Sequence, residues 1–230
     1  MSRARILDRV RAALHADPAD MERRSAVAAR LAEPPRHPIP ARASRPASER
    51  LAMLEDALRS QSVDVIAVAA PDEIPAAVAS YLVRHGLPLR VRAGADPYLA
   101  ALAWAQTPDL VVERGPAEGN DGAGLSHAVA GVAETGTLVL ASGPDNPVTL
   151  AFVPETHIVV LARETIVGSY EDACALLAAR TGEAGRLPRT LNLVSAPSRT
   201  GDIGGKIVLG AHGPRRLAVI LVGPDQDESP

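Results

Sequence analysis

The sequence predicts an α/β fold with an open, mostly parallel sheet and helices on both faces. From residue 47 onward, segments with helical periodicity alternate with short apolar runs rich in Val, Ile and Leu. This alternation is typical of right-handed crossover units on a parallel sheet. The 230 residues contain no repeat of fixed period and are enough for a domain with a proper core.

The elements of this domain follow from the spacing of its apolar residues. The predicted strands are 63–70, 87–93, 109–115, 136–142, 156–162, 192–196 and 216–222. The predicted helices are 48–60, 72–86, 96–105 and 169–180. Ligands of open parallel sheets bind beyond the carboxyl ends of the strands, so we expect a site in the loops after residues 134, 162 and 196.

Residues 1–46 are predicted to form an N-terminal helical extension that ends in a connector. Apolar residues recur at helical spacing in 5–14, and a second helix is predicted over 21–33. Residues 34–46 are rich in proline and arginine, which favours neither helix nor central strand, so we expect an exposed connector rather than a binding arm. The α/β domain then covers 47–222, and an acidic tail covers 223–230.

Composition narrows the classes of partner. The net charge of −3 gives no reason to expect nucleic acid. Charged residues occur throughout the N-terminal stretch, so the sequence predicts neither a signal peptide nor a membrane span there. We therefore expect a cytoplasmic protein. Cys174 is the only cysteine, whereas an iron–sulfur cluster needs about four ligands, so we expect no cofactor in this chain. The Cys174 thiol is expected to be buried and structural.

The first candidate site is the stretch 131–161. Glu134 precedes Thr135 and Gly136 at a predicted bend near strand ends, where a carboxylate can act as a base, a nucleophile or a ligand. The alternative is that Glu134 caps the local turn. His157 enters the strand 156–162, and it is either a packed core residue or a catalytic one.

The second candidate site is the polar, glycine-rich stretch 193–214. It does not match the phosphate-binding P-loop, because Thr200 and Ile207 stand where that motif has Gly and Ser or Thr. We expect a loop that faces a cleft and binds a small anion, since guanidinium and ammonium groups attract anions and glycines permit close approach. The predicted ligand-binding residues are Thr135, Gly136, Ser198, Arg199, Thr200, Lys206 and His212.

Asp202 has two interpretations. It is a candidate catalytic residue together with Glu134, or it pairs with Arg199 and stabilises a polar loop. Glu134, Asp202, His157 and His212 are residue types that bind divalent metals, but their spacing matches no local metal motif. We therefore predict no metal site.

Four stretches taken together resemble the LUD-domain family, and within it the lactate utilization proteins of the C type. They are AETGTLVL (133–140), PETHIVVL (154–161), SAPSRTGDIGG (195–205) and VLGAHGPRRLAVIL (208–221). The resemblance extends over 47–222 and implies a fold similar to NagB, RpiA and the CoA transferases. It also implies a part in oxidising L-lactate to pyruvate, with A-type and B-type partner proteins that carry the iron–sulfur clusters.

Alternatives stay open at this point. Some CoA transferases of the similar fold use a glutamate nucleophile in a glycine-containing bend, and the sequence around Glu134 resembles that bend. The chain is therefore a component of a lactate-oxidising system, or a stand-alone enzyme that binds CoA or a sugar phosphate. A non-catalytic ligand-binding or assembly subunit is the third possibility.

Overall fold

The computed structural model describes residues 2–15, 17, 19–33, 37–180 and 188–224, without the side chains of Asp202 and Ile203. The chain forms two compact units, Met1–Pro38 and Ile39–Pro230. Most of the acidic tail predicted over 223–230 lies outside the described residues. The boundary at residues 46 and 47 stays a prediction.

The first unit consists of two helices at the predicted positions, α1 (Arg3–Ala13) and α2 (Met21–Ala32). The side chain of Asp20 caps α2 by accepting a hydrogen bond from the Arg23 N–H at 2.9 Å. No residue of either helix is buried. Among the described residues of both units, no helix is long and apolar enough to span a bilayer.

The second unit is built on a six-stranded, wholly parallel sheet, which confirms the predicted fold class. Its strands are β1 (Asp64–Val68), β2 (Arg90–Ala93), β3 (Val111–Arg114), β4 (Ala123–His127), β7 (Thr156–Ala162) and β12 (Arg216–Val222). They lie in the order β1-β12-β7-β4-β2-β3. The sequence did not predict the inner strand β4, because its Gly, Ser and His interrupt any apolar run.

A second sheet of four strands carries two of the predicted strands. Its members are β5 (Ala130–Val132), β6 (Thr137–Ala141), β8 (Ile166–Val167) and β9 (Leu191–Val194), in the order β8-β5-β6-β9. β6 is antiparallel to both β5 and β9, whereas β5 and β8 are parallel. The strands predicted over 136–142 and 192–196 therefore exist but do not belong to the parallel sheet.

The predicted anion-binding loop is instead largely a β-hairpin. Strands β10 (Arg199–Ile203) and β11 (Lys206–Leu209) pair antiparallel. Gly204 and Gly205 form the turn between them, with φ values of 60° and 72°. A two-residue hairpin turn requires positive φ at such positions, so these glycines are explained by the turn rather than by an anion.

Helices cover both faces of the parallel sheet. They are α4 (Ile74–Arg84) and α5 (Pro97–Ala100) on one face and α3 (Ala47–Ser60) on the other, whereas α6 (Tyr170–Arg180) packs against the second sheet. The helix predicted over 96–105 is shorter than expected and is followed by a 3-10 turn at Trp104–Gln106. The Cys174 prediction was wrong, because α6 buries Ala173 and Leu177 on one face and leaves Cys174 exposed.

The alternation of side chains along β7 assigns its two faces to different cores. Ile158 and Val160 pack in the core that contains α4 residues. Val159 and Leu161 pack in the core that contains α3 and β6 residues. His157 shares the face of Val159 and Leu161, which directs its ring toward the side of the sheet where α3 and β6 pack.

The predicted connector is only partly exposed. It ends in a 3-10 turn, Ala41–Ser44, whose Ala43 is buried. Arg42 of the same turn forms an ion pair with Glu134 at 2.8 Å. The end of the connector is therefore packed against the bend between β5 and β6, which sequence composition alone does not indicate.

Gly136 provides a test of the packing at this bend. Its φ is 64°, and a Cβ added there would lie 2.7 Å from the Ala57 Cβ of α3. Gly204 has a φ of 60°, but no atom of the described residues lies within 4 Å of an added Cβ. We expect Gly204→Ala to lower the free energy of unfolding by about 1 kcal/mol through backbone strain. Gly136→Ala should lower the free energy of unfolding by a further amount of about 1–3 kcal/mol, because its Cβ also overpacks against α3. Urea denaturation measures both losses. Equal losses would contradict the contact with α3.

Candidate functional site

A cavity of about 390 Å³, here called the His157 cavity, lies beside the first residues of β7 and β12. Its lining consists of Ala151, Phe152, His157, Leu191, Asn192, Leu193, Val194, Ser195, Ala196, Pro197, Ser198, His212, Gly213, Pro214 and Leu217. His157 and Leu217 are register partners, each the second residue of its strand. The cavity therefore lies at the amino ends of these parallel strands, opposite to the end predicted from the sequence.

The cavity lies at the other end of the parallel strands because the second sheet, which the sequence does not predict, forms part of its wall. The edge strand β9 of that sheet, continued by residues 195–198, supplies much of the cavity wall. The turn at 212–214, directly before β12, supplies another part. The rule about carboxyl ends applies to loops of the parallel sheet, whereas this cavity is enclosed by strands that pack beside it.

His157 is the most buried polar group of the cavity, with 1% of its surface exposed. Its Nε2 lies 3.0 Å from the Ser126 hydroxyl oxygen on β4. Its Nδ1 has no hydrogen-bond partner among the described residues. Burial lowers the pKa of the imidazole to about 4, so the ring is neutral at pH 7. His157 is thus a packed residue that lines the cavity, and its one ring nitrogen without a partner among the described residues is itself buried.

The other polar groups of the cavity are Asn192, Ser195, Ser198 and His212. The His212 N–H donates to the Ser198 hydroxyl at 3.3 Å, and the Ser198 N–H donates to the Pro214 carbonyl at 2.8 Å. These bonds fix the segment 195–198 to the turn before β12. Within the described part of the chain, no Lys or Arg side chain lines the cavity.

Four hydroxyl groups, the hydroxyl cluster, connect the cavity wall to the bend that contains Glu134. The Thr137 oxygen lies 2.7 Å from that of Ser195, 2.8 Å from that of Thr135 and 2.9 Å from that of Tyr170. Thr135 also donates to Tyr170 at 3.0 Å. Because Thr137 is fully buried, the cluster ties β6, α6 and the wall residue Ser195 together. The sequence indicated Thr135 but not the other three residues.

The structure gives Glu134 a charged partner. Its side chain is 8% exposed and pairs with the guanidinium of Arg42, which is 65% exposed. Glu134 does not line the His157 cavity, and Gly136 occupies the tight turn beside α3. The contact favours the structural interpretation of Glu134, and its catalytic role stays a prediction.

The site residues predicted in the stretch 193–214 separate into two groups. Ser198 and His212 line the His157 cavity. Arg199, Thr200 and Lys206 lie on the hairpin strands, outside the cavity lining, and the Arg199 guanidinium donates to the Gln61 carbonyl after α3. The side chain of Asp202 lies outside the description, so both interpretations of it stay open. Among the described residues, no group of three or more His, Cys, Asp or Glu side chains is arranged to hold a metal ion.

Comparison with known proteins relates part of the chain to one family. A family model for the LUD domain matches residues 119–222. Proteins described as lactate utilization protein C match in Geobacillus sp. strain WCH70, with 33% identity over 99 residues, and in Bacillus licheniformis, with 32% identity over 99 residues. Each of these matches covers 43% of this chain and 41% of the relative. Residues 119–222 of this chain are therefore similar to the LUD-domain family.

Two further relatives lack a functional description. An uncharacterized protein of Neisseria meningitidis serogroup B is 38% identical over 106 residues, 46% of this chain and 44% of that protein. The crystal structure of a DUF162 family protein from Deinococcus radiodurans aligns with a TM-score of 0.59 and 29% identity. That alignment covers 78% of this chain and 99% of the other. The curated matches thus span less than half of each relative's length, whereas the structural likeness extends over most of this chain.

All residues that line the His157 cavity fall within the LUD domain match, 119–222. The hydroxyl cluster and Glu134 lie there too, whereas Arg42 lies outside it. The cavity is therefore built by the LUD domain itself. The further likeness to NagB, RpiA and the CoA transferases stays a prediction.

The buried imidazole makes stability depend on pH. The unfolded state binds a proton at His157 below its ordinary pKa of 6.5, whereas the folded state does so only near 4. Stability is therefore complete above pH 6.5 and is lost as the pH falls toward 4, by about 3 kcal/mol from this residue. Urea denaturation from pH 7 to pH 4.5 should show this loss in the wild type and a smaller loss in His157→Gln. Parallel pH profiles for the two proteins would contradict the buried, neutral imidazole.

The ion pair of Glu134 with Arg42 is tested by a double-mutant cycle. We expect Glu134→Gln and Arg42→Gln each to lower the free energy of unfolding by about 1–2 kcal/mol, because each breaks a charge-assisted hydrogen bond. The double variant should lose about 1 kcal/mol less than the sum, measured by urea denaturation at pH 7. Strictly additive losses would show that the two side chains do not interact.

Proposed function

We propose that this chain is a cytoplasmic component of an L-lactate utilization system that oxidises L-lactate to pyruvate. The name of two of the relatives above, lactate utilization protein C, supports this role. We propose that iron–sulfur partner proteins carry the electrons, since a single cysteine falls short of the about four ligands a cluster needs. The part of the chain that matches the LUD domain, 119–222, contributes the His157 cavity.

The observation that carries the proposal is the free Nδ1 of a buried, neutral His157 in a cavity of the LUD domain. An unpaired polar group inside a protein costs free energy, and a bound molecule that pairs with it recovers that cost. The cavity also has apolar lining residues, among them Ala151, Phe152 and Leu217. Ser195 is held in place by the hydroxyl cluster.

The lining disfavours the alternative of a stand-alone enzyme for CoA or sugar phosphates. A phosphate group requires Arg, Lys, a metal or several backbone N–H donors, and no Lys or Arg is found among the described lining residues. The remaining alternative, a non-catalytic assembly subunit, differs from the proposal in one respect. An assembly subunit would not need the polar groups of the His157 cavity.

The test is lactate-dependent dye reduction by the anaerobically reconstituted three-protein system. Omission of this chain should abolish the activity. His157→Leu should lower the rate by at least about tenfold, equivalent to about 1.4 kcal/mol. His85→Gln serves as the matched control, since His85 contacts Tyr81 and Asp64 rather than the cavity, and it should leave the rate unchanged.

Each other outcome has a defined meaning. A full rate without this chain would contradict its place in lactate oxidation. A rate that requires the chain but is unaffected by His157→Leu would assign it to assembly, provided that the variant unfolds at the same urea concentration range as the wild type.

A further inference from the structure

We propose that the His157 cavity binds a quinone ring, the uncharged acceptor that takes the electrons of lactate oxidation. The role as acceptor rests on the proposed function, whereas the binding of the ring rests only on the cavity. Four properties of the cavity support the proposal: its charge, its size, its hydrogen-bonding groups and its exposed apolar side chains.

The charge of the lining favours an uncharged ligand. Among the described residues, the cavity is lined by no Lys or Arg and by no Asp or Glu. Burial keeps the pKa of His157 at about 4, so its ring carries no charge at pH 7. A carboxylate or phosphate moved into such a place would lose its hydration without gaining a paired charge. Lactate itself is therefore a poor ligand for this cavity.

The size of the cavity points in the same direction. A volume of about 390 Å³ is in the range of pockets for drug-sized molecules. Lactate has only a few non-hydrogen atoms and would leave most of this space unfilled. A substituted six-membered or fused ring fills more of it and contacts apolar lining residues such as Phe152 and Leu217.

The hydrogen-bonding groups suit the carbonyl oxygens of such a ring. When the Ser126 hydroxyl donates to Nε2 of His157, the neutral ring carries its proton on Nδ1. Nδ1–H is then a buried donor without a partner among the described residues, and a quinone carbonyl that reaches it would accept its hydrogen bond. The Asn192 amide and the Ser198 hydroxyl, also in the lining, are available donors for the second carbonyl.

Exposed apolar side chains surround the same place. Phe152 and Leu193 line the cavity and remain 47% and 52% exposed, and Val153, next along the chain, is 42% exposed. Large apolar side chains grouped at a surface mark binding sites for apolar ligands or partners. A ring that enters beside Phe152 and Leu193 covers part of this surface.

The reaction balances with a quinone as acceptor. Oxidation of L-lactate to pyruvate breaks the C–H and O–H bonds of the carbinol group and releases two electrons and two protons. Clusters of the partner proteins pass the electrons singly, and a quinone can take them singly. With the two protons the quinone becomes a hydroquinone, so that lactate plus quinone gives pyruvate plus hydroquinone.

The test uses the purified full chain and tetramethyl-1,4-benzoquinone as the probe. All ring carbons of this quinone are substituted, so it does not add to the exposed thiol of Cys174. Isothermal titration calorimetry should show saturable binding in the wild type and in the control His85→Gln. His157→Leu should weaken binding by roughly three- to tenfold through loss of one hydrogen bond. Ala196→Phe, which fills the cavity, should abolish it.

A second set of probes separates the ring's carbonyls from its apolar body. 1,2,4,5-Tetramethylbenzene has the same body without carbonyls and should bind more weakly, and inorganic phosphate and L-lactate should not bind. Binding of phosphate or lactate without the quinone would overturn the proposal. So would quinone binding that neither cavity variant affects.

The proposal and the proposed function fail separately. The titration contains neither lactate nor partner proteins, so a chain that binds the quinone in the cavity confirms the site even if lactate oxidation does not require the chain. If the system requires the chain but the titration shows no quinone binding, the proposed function stands and this inference is overturned.

Discussion

The arrangement of the second unit depends on the complete burial of strand β7. It pairs along its whole length with β12 and along most of it with β4, and residues 156–161 are buried. A strand buried on both faces tolerates polar side chains poorly. Its two polar residues, Thr156 and His157, stand together at its start. The neutral imidazole therefore lies at the amino end of the sheet, where its Nε2 bonds to Ser126 and its Nδ1 has no partner among the described residues.

The motif around Glu134 connects other parts of the second unit through its contacts. Thr137 lies at the centre of the hydroxyl cluster, and its bond to Ser195 connects the first family stretch to the third. His157 comes from the second stretch and His212 from the fourth, and both line the same cavity. All four stretches of the resemblance thus meet at one place. Glu134 stands beside this place, paired with Arg42, and holds the end of the connector.

Local periodicity predicted the elements better than it predicted their assembly. Apolar runs such as 156–162 and 216–222 are strands because side chains on both faces must be apolar in a buried parallel sheet. The same runs do not show which sheet a strand joins, and β6 and β9 belong to the second one. The sequence predicts a loop where the hairpin lies, because its turn glycines resemble an anion site. The local sequence does not show the environment of His157, because that environment depends on burial and on Ser126, which is distant in sequence.

The central claim is that His157 is a neutral imidazole with one free nitrogen in a ligand cavity. Nitrogen-15 NMR of histidine-labelled protein, with the signal assigned through His157→Gln, measures this directly. The account predicts one imidazole that stays neutral down to about pH 4–5 and whose Nδ1 resonance alone shifts strongly when tetramethyl-1,4-benzoquinone is added. A His157 signal that titrates near pH 6.5 and ignores the quinone would contradict it.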